Sequence, residues 1–361
     1  TYGEWSKSLF AQGPVDVGGR FGGILPAVSS CQDCHMPPTE GRSCFFGEER
    51  TDLRPHYFNG GNTWVLKAVR SLYPDMETGL SEQSVADSIA RTTDMLQKAS
   101  DMELSLVAPD RLRVRVINQS GHKLPTGYPE GRRMWINVRC FDGDSQLVYE
   151  YGQYDNTTAV LHGYNTEVYE AKIGVDAEVS AATGVPVGPS FHFALNNTWY
   201  KDNRIPPRGF TNAGFAEVQA APVAATYADG QHWDDTEFTI VPGTASVEVR
   251  VFFQTTSKEY IEFLRDANTT NAAGQIAYDQ WVAQGKSAPV EMDFATIAVP
   301  CYANCDASVT PPVLNVNDFT CFLNKYAAGD TYANCDGSTT PPVLNVNDFV
   351  CFLNAFAGGC P

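Results

Sequence analysis

The sequence is short of positive charge, of histidine and of long apolar runs. Its 361 residues hold 25 Lys and Arg against 42 Asp and Glu, a formal charge of −17, which repels phosphate backbones and anionic lipid headgroups. Nucleic acid and membrane surfaces are excluded as partners on that ground. No run approaches the ~18 apolar residues of a spanning helix, so membrane insertion is not expected. Thr1-Tyr2-Gly3-Glu4-Trp5 lacks the charged-then-apolar opening of a signal sequence. The chain therefore reads as soluble, either a mature protein or a fragment of a longer one. A Gly-x-Ser-x-Gly elbow, a His-Glu-x-x-His pair and a phosphate loop are all missing, which removes the common hydrolase signatures. With 43% hydrophobic and 19% charged residues, disorder over most of the length is ruled out.

What the chain has in quantity is cysteine. Ten cysteines are many for a reducing cytosol and point to an extracytoplasmic setting, with disulfides or covalent cofactor chemistry. Residues 302–329 and 332–359 align without a gap at a 30-residue offset and match at 22 of 28 positions, the mark of a two-unit module. Upstream, Arg111–Val116 and Val247–Val251 alternate polar and apolar residues, and Met134–Val138 and Glu237–Val241 extend the pattern. These predict half-buried antiparallel strands packed as a β-sandwich. A helix is predicted after Ser257 and another over roughly Ala272–Ala283. The first hundred residues read as loop to about Asn62. They then carry helical spacing from Trp64 to Leu72, with Asn62 as N-cap, and from Ser81 to about Ser100. The fold class is α+β, divided as 1–104, 105–300 and 301–361.

Cys31-Gln32-Asp33-Cys34-His35 fits the pattern of covalent c-type haem attachment, in which two thiols add to the porphyrin and the adjacent imidazole binds iron. A zinc half-site would want a second Cys/His pair at similar spacing, and none occurs in this part of the chain. A redox dithiol or a plain disulfide remains the other reading. Together with His56-Tyr57-Phe58-Asn59-Gly60-Gly61-Asn62 and Gly121-His122-Lys123-Leu124-Pro125-Thr126-Gly127, the Cys31–Pro37 segment resembles the C-terminal part of multihaem c-type cytochromes, over about residues 1–300. Members carry several such motifs, whereas this chain has one. Glu4-Trp5 with Ser8 resembles a family segment that ends in a haem-ligating histidine, but Phe10 stands at that place.

The resemblance implies haem c on Cys31 and Cys34, with His35 as proximal ligand. His122 and His56 are candidates for the distal position, and by the same resemblance His56 can serve a neighbouring haem instead. Met36 is too close to His35 to reach the opposite haem face. His162, His192 and His232 read as structural residues, Cys44 and Cys140 are left as a candidate pair, and the run with Arg204 and Arg208 reads as an ordinary ordered loop, with a place near haem propionates as the other reading. Two filled axial positions leave no open site, which implies electron transfer rather than catalysis, with a redox partner protein or a further haem-bearing chain or segment. The rival is a haem-free secreted adhesion, scaffold or glycan-binding protein. Asn118, Asn156, Asn196 and Asn268 each open an Asn-x-Ser/Thr tripeptide, weak evidence that permits glycosylation only in a competent host.

The C-terminal repeats resemble cysteine-containing dockerin modules. This resemblance implies a cohesin-like or surface scaffold partner, and the chain is also open to homo-oligomer or filament assembly. Candidate Ca²⁺ ligands are Asn304, Asp306, Ser308, Asn315 and Asp318 in one loop and Asn334, Asp336, Ser338, Asn345 and Asp348 in the other. Each loop offers only two carboxylates and contains a Pro-Pro pair, Pro311-Pro312 or Pro341-Pro342, so binding is expected to be weak or absent. Pseudo-symmetric repeats of this kind imply a Cys301–Cys360 clasp, with Cys305–Cys321 and Cys335–Cys351 inside the repeats.

Overall fold

The computed structural model describes residues 1–108, 110–308 and 310–360. Its centre is a pair of antiparallel sheets, an arrangement of the α+β class. One orders Trp233–Thr239, Arg111–Asn118 and Ser100–Ala108. The other orders Val290–Ala298, Ser246–Gln254, Arg133–Phe141 and Leu147–Tyr151, with Val168–Tyr169 also on Arg133–Phe141. Alternation turns Leu112, Val114 and Val116 inward from the first sheet. Val247, Val249, Val251 and Phe253 come from the second, and all join one core. Each such side chain contributes ~1.5–3 kcal/mol by leaving water. Arg133–Phe141 is the exception to alternation. Met134, Trp135 and Ile136 are consecutive and all buried, because this central strand is covered on both faces.

Helix starts follow their caps. Ser81 accepts from the Ser84 amide and opens Glu82–Lys98, and Ser257 accepts from the Tyr260 amide and opens Lys258–Ala267. The predicted Ala272–Ala283 helix runs Ala273–Ala283. Asn62 accepts from the amides of Trp64 and Val65, but the N-cap is Trp64, two residues later than expected, and the helix runs Val65–Leu72. The stretch read as loop holds short helices at Tyr2–Ser6 and Cys31–His35 and a hairpin of Thr39–Arg42 with Glu49–Leu53. A further small sheet, Gly188–Pro189, Ala171–Val175 and Thr198–Asp202, was not predicted.

Residues 301–360 have a core of their own. The Val316–Ala328 and Val346–Gly358 helices meet through Phe322 and Phe352, whose rings stack at 4.2 Å. Tyr302 and Tyr332, 30 residues apart, stack at 4.8 Å, and each hydroxyl donates to the other's backbone carbonyl. The three bridges Cys301–Cys360, Cys305–Cys321 and Cys335–Cys351 are present. Cys44 and Cys140 do not pair. Cys44 is exposed beyond the Thr39–Arg42 strand, and Cys140 is buried in a central strand of the sandwich.

Asp293, on the Val290–Ala298 strand, has its carboxyl pushed up to about 6 by burial, with Asp101 adding to the effect. The folded state therefore binds a proton that the unfolded chain, near 3.8, releases. The contribution of Asp293 to stability is therefore expected to fall as pH rises from 3.8 through about 6. Asp293→Asn should remove that fall, as read by urea midpoints across the range; an unchanged slope would refute it.

Candidate functional site

The Cys31–His35 helix is short, and its start is tied down by reciprocal bonds. Asp33 N donates to Ser30 Oγ at 3.2 Å, and the Ser30 and Ser29 amides donate to Asp33 Oδ2 at 2.9 and 3.0 Å. Arg54, just beyond the hairpin, reaches Asp33 Oδ1 at 2.7 Å. Burial alone would raise the Asp33 carboxyl, but these bonds outweigh it and hold the group below its usual range. Cys34 moves the other way. Burial, with help from Asp33 and Cys31, pushes its thiol up to about 12, so it is no thiolate at neutral pH. Cys31 and Cys34 are not bonded to each other.

His35 is held by the backbone of a distant segment. Its Nδ1 bonds the Asn59 carbonyl, and the Asn59 amide returns a bond to the His35 carbonyl at 3.1 Å. A Cβ on Gly61 would lie 2.8 Å from Phe253 Cζ, so a glycine is what lets this segment lie against the sandwich. His56 is placed elsewhere, exposed, with its ring against Phe58.

His122 sits in the turn after the Arg111–Asn118 strand. Asn118 Nδ2 donates to the carbonyls of His122, Ile205 and Pro206 at 2.8, 2.9 and 3.1 Å, and Asn118 Oδ1 receives the Ser120 amide at 2.8 Å. Burial pulls the His122 imidazole down to about 4, only partly offset by Glu4. It is therefore neutral at pH 7. Its Nδ1 lies 3.1 Å from the Lys123 carbonyl, and a donor there leaves Nε2 as the lone-pair nitrogen.

The next residue anchors the turn. Lys123 is 0% exposed, and its Nζ lies 2.7 Å from Asp202 Oδ2. Arg204 pairs with the same carboxylate at 2.7 Å and with Glu4 Oε1 at 3.1 Å. The Lys123 amide donates to Glu4 Oε2 at 3.2 Å, closing the ring. Burial would raise the Asp202 carboxyl, but Arg204 and Lys123 keep it below the usual range. Arg204 is thus committed to this network, and Arg208 bonds Gln119. The arginine at the cavity is Arg132.

His35 and His122 line one cavity of about 470 Å³, within the ~300–1,000 Å³ of cofactor pockets. Their rings are 15° from parallel with centres 6.2 Å apart. The walls include Trp5, Phe10, Phe21, Met95, Leu96 and Phe253, and Cys31 and Cys34 lie on the rim. Phe10 is buried where the family segment would place a histidine. Sequence reading missed Arg132 and the Asn59 backbone. The signal for Asn59 was the Asn59-Gly60-Gly61 run, which marks close backbone approach. His162 and His232 lie outside this cavity, as does His192, which packs on Phe263.

The candidate calcium ligands are placed differently. Asp318 accepts from the Asp306 and Asn315 amides at 3.2 and 2.8 Å, and Asn315 caps the following helix. Asp348 repeats this with Asp336 and Asn345. Ser308 and Ser338 hydroxyls donate to the Val313 and Val343 carbonyls, and Asn304 and Asn334 donate to the Ser308 and Ser338 carbonyls. Among the described residues, no group of three or more His, Cys, Asp or Glu gathers as a metal site.

No protein-family profile matches the chain, and no curated protein does. Among solved structures it is similar to a penta-haem cytochrome c552 from Thermochromatium tepidum, at 14% identity and a TM-score of 0.38, over 77% of this chain and 48% of that one. The chain thus spans about half the length of that protein.

Replacing Lys123 by Met unbalances a buried ion network, a change that costs ~3–5 kcal/mol when one partner is lost. Urea unfolding of the full chain should show a loss of that order. A change below ~1 kcal/mol, the range of exposed pairs, would show that the network does not hold the His122 turn.

Proposed function

We propose that the chain is an extracytoplasmic electron-transfer protein carrying one haem c, attached through Cys31 and Cys34, with His35 and His122 as its axial ligands. The observation that supports this is the near-parallel pairing of the two imidazoles across a cavity bordered by both cysteines. The two ring centres lie 6.2 Å apart, a spacing at which His35 and His122 would hold one metal ion between them. Both Nδ1 atoms face backbone carbonyls, which leaves both Nε2 atoms for metal. The Arg132 Nε is buried with no partner among the described residues, and an acidic group such as a haem propionate would satisfy it. A Cβ on Gly127, at φ 89°, would lie 2.2 Å from Arg132 Nη1, so glycine makes room for that side chain.

Haem so held supplies one-electron transfer, and two imidazole ligands leave no coordination position for substrate. Trp5, Phe10, Phe21 and Phe253 give the cavity apolar walls, and the carbonyls of Asn59 and Lys123 hold the imidazole tautomers. Phe10 supplies no further ligand. The extracytoplasmic reading is supported by three disulfides beside four free cysteines. We assign residues 301–361 an anchoring role on a surface or scaffold partner, supported by the dockerin resemblance and by Val316, Val346 and Leu323 exposed on its helices.

Produced with c-type haem maturation, the full chain should give a low-spin ferric spectrum and retain haem after acid-acetone extraction. His122→Ala should turn the spectrum high-spin and open the iron to rapid cyanide binding, while His56→Ala should leave both unchanged. A high-spin wild type, or loss of the low-spin signal in His56→Ala instead, would overturn the ligand assignment. A wild type without covalent haem would overturn the function itself.

A further inference from the structure

A second cavity, of about 540 Å³, opens on the other side of Arg132. Its walls come from the 129–133 turn, the 166–173 segment and the 189–191 segment. Two wall residues are more than nine-tenths buried and carry unsatisfied polar atoms. Glu130 is 5% exposed, and both of its carboxylate oxygens lack a partner among the described residues. Arg133 is 8% exposed. Its Nε bonds Gln254 and its Nη1 reaches Glu259 at 3.3 Å, but Nη2 has none.

Buried polar groups left unpaired cost ~1–3 kcal/mol each, more for charged ones, and Glu130 and Arg133 line the same cavity, so an occupant with both a donor and an acceptor would answer them together. The remaining charges are distributed to suit an acid. Glu170 is already neutralised by Lys172 and Lys201, at 2.9 and 3.3 Å. The Glu130 and Glu167 carboxyls are pushed above their usual range, chiefly by burial. Leu161, Val168, Ile173 and Phe191 give the same cavity an apolar side.

We propose that this cavity binds a small α-amino or α-hydroxy acid with an apolar side chain. The carboxylate is received by Arg133 Nη2, the ammonium or hydroxyl donates to Glu130, and the side chain lies against the apolar wall. The site does not depend on the haem assignment, because neither Glu130 nor Arg133 lines the His35–His122 cavity.

Isothermal titration of the full chain with four probes tests it: L-leucine, 2-hydroxy-4-methylpentanoate, 4-methylpentanoate lacking the α-donor, and isoamylamine lacking the carboxylate. At least one of the first two should bind saturably, and the last two should bind at least about tenfold more weakly, one decade of Kd. Glu130→Gln should weaken the amino acid by at least about tenfold. Lys172→Glu, a change at the exposed lip of the cavity, should weaken both acids without threatening the fold. The proposal is overturned if neither acid binds, if the truncated probes bind equally well, or if both variants leave binding unchanged.

Discussion

The ring of buried charges formed by Glu4, Arg204, Asp202 and Lys123 is what the site depends on. Moving such ions out of water costs several kcal/mol apiece unless they are paired with good geometry. Here four groups from three segments far apart in sequence answer one another, each side chain no more than 7% exposed. The constraint is positional as much as energetic. Lys123 cannot leave its place without taking away one of the two cations that pair with Asp202, and His122 is its neighbour in the chain. The ring also explains the Glu4-Trp5 segment. Glu4 closes the network, Trp5 donates its indole N–H to the Ser29 carbonyl at 2.8 Å, and the N-terminal helix thereby reaches the residue preceding the Ser30 cap of the Cys31–His35 helix.

The two halves of the site are held in different currencies. His35 sits on a helix of five residues, too short to persist alone, and is fixed by Asp33, Arg54 and the Asn59 backbone. His122 sits in a turn fixed by a strand end and by buried ions. What they share is a carbonyl acceptor at Nδ1, the feature that sets which nitrogen is left free. The Cys-x-x-Cys-His pattern was legible because its residues are adjacent in sequence. That His122 and not His56 faces His35 was not, because it turns on which loop the sheets carry over the cavity. The His56–Asn62 run belongs to the site through its backbone, and a pattern of side chains does not show that.

The fold divides along the same line. Strands with one wet face, such as Arg111–Asn118, announce themselves by alternation. Arg133–Phe141, covered on both sides, breaks that alternation at the consecutive apolar residues Met134, Trp135 and Ile136, and its β-branched and aromatic content with flanking turns identifies it as a strand. The small sheet around Ala171–Val175 includes a two-residue strand, Gly188–Pro189, with no periodicity to detect. Leaving Cys44 and Cys140 over invited pairing, yet Cys140 faces the core of a central strand while Cys44 lies on an exposed turn. Counting cysteines says nothing about which side of a strand they occupy.

The C-terminal module shows how repeats with the outline of a cation loop can be held by other bonds. In each unit the acidic residue at the helix start accepts two backbone amides, one from the N-cap and one from the loop. Cys305–Cys321 and Cys335–Cys351 each close a loop with a sequence separation of 16, worth ~3 kcal/mol apiece in the chain-entropy account. Cys301–Cys360 closes a separation of 59, for which the same account gives somewhat more. A module of about 60 residues buries too little core to dispense with such staples. The bridges and capping boxes, together with the Phe322–Phe352 stack, therefore supply stability that so small a core does not.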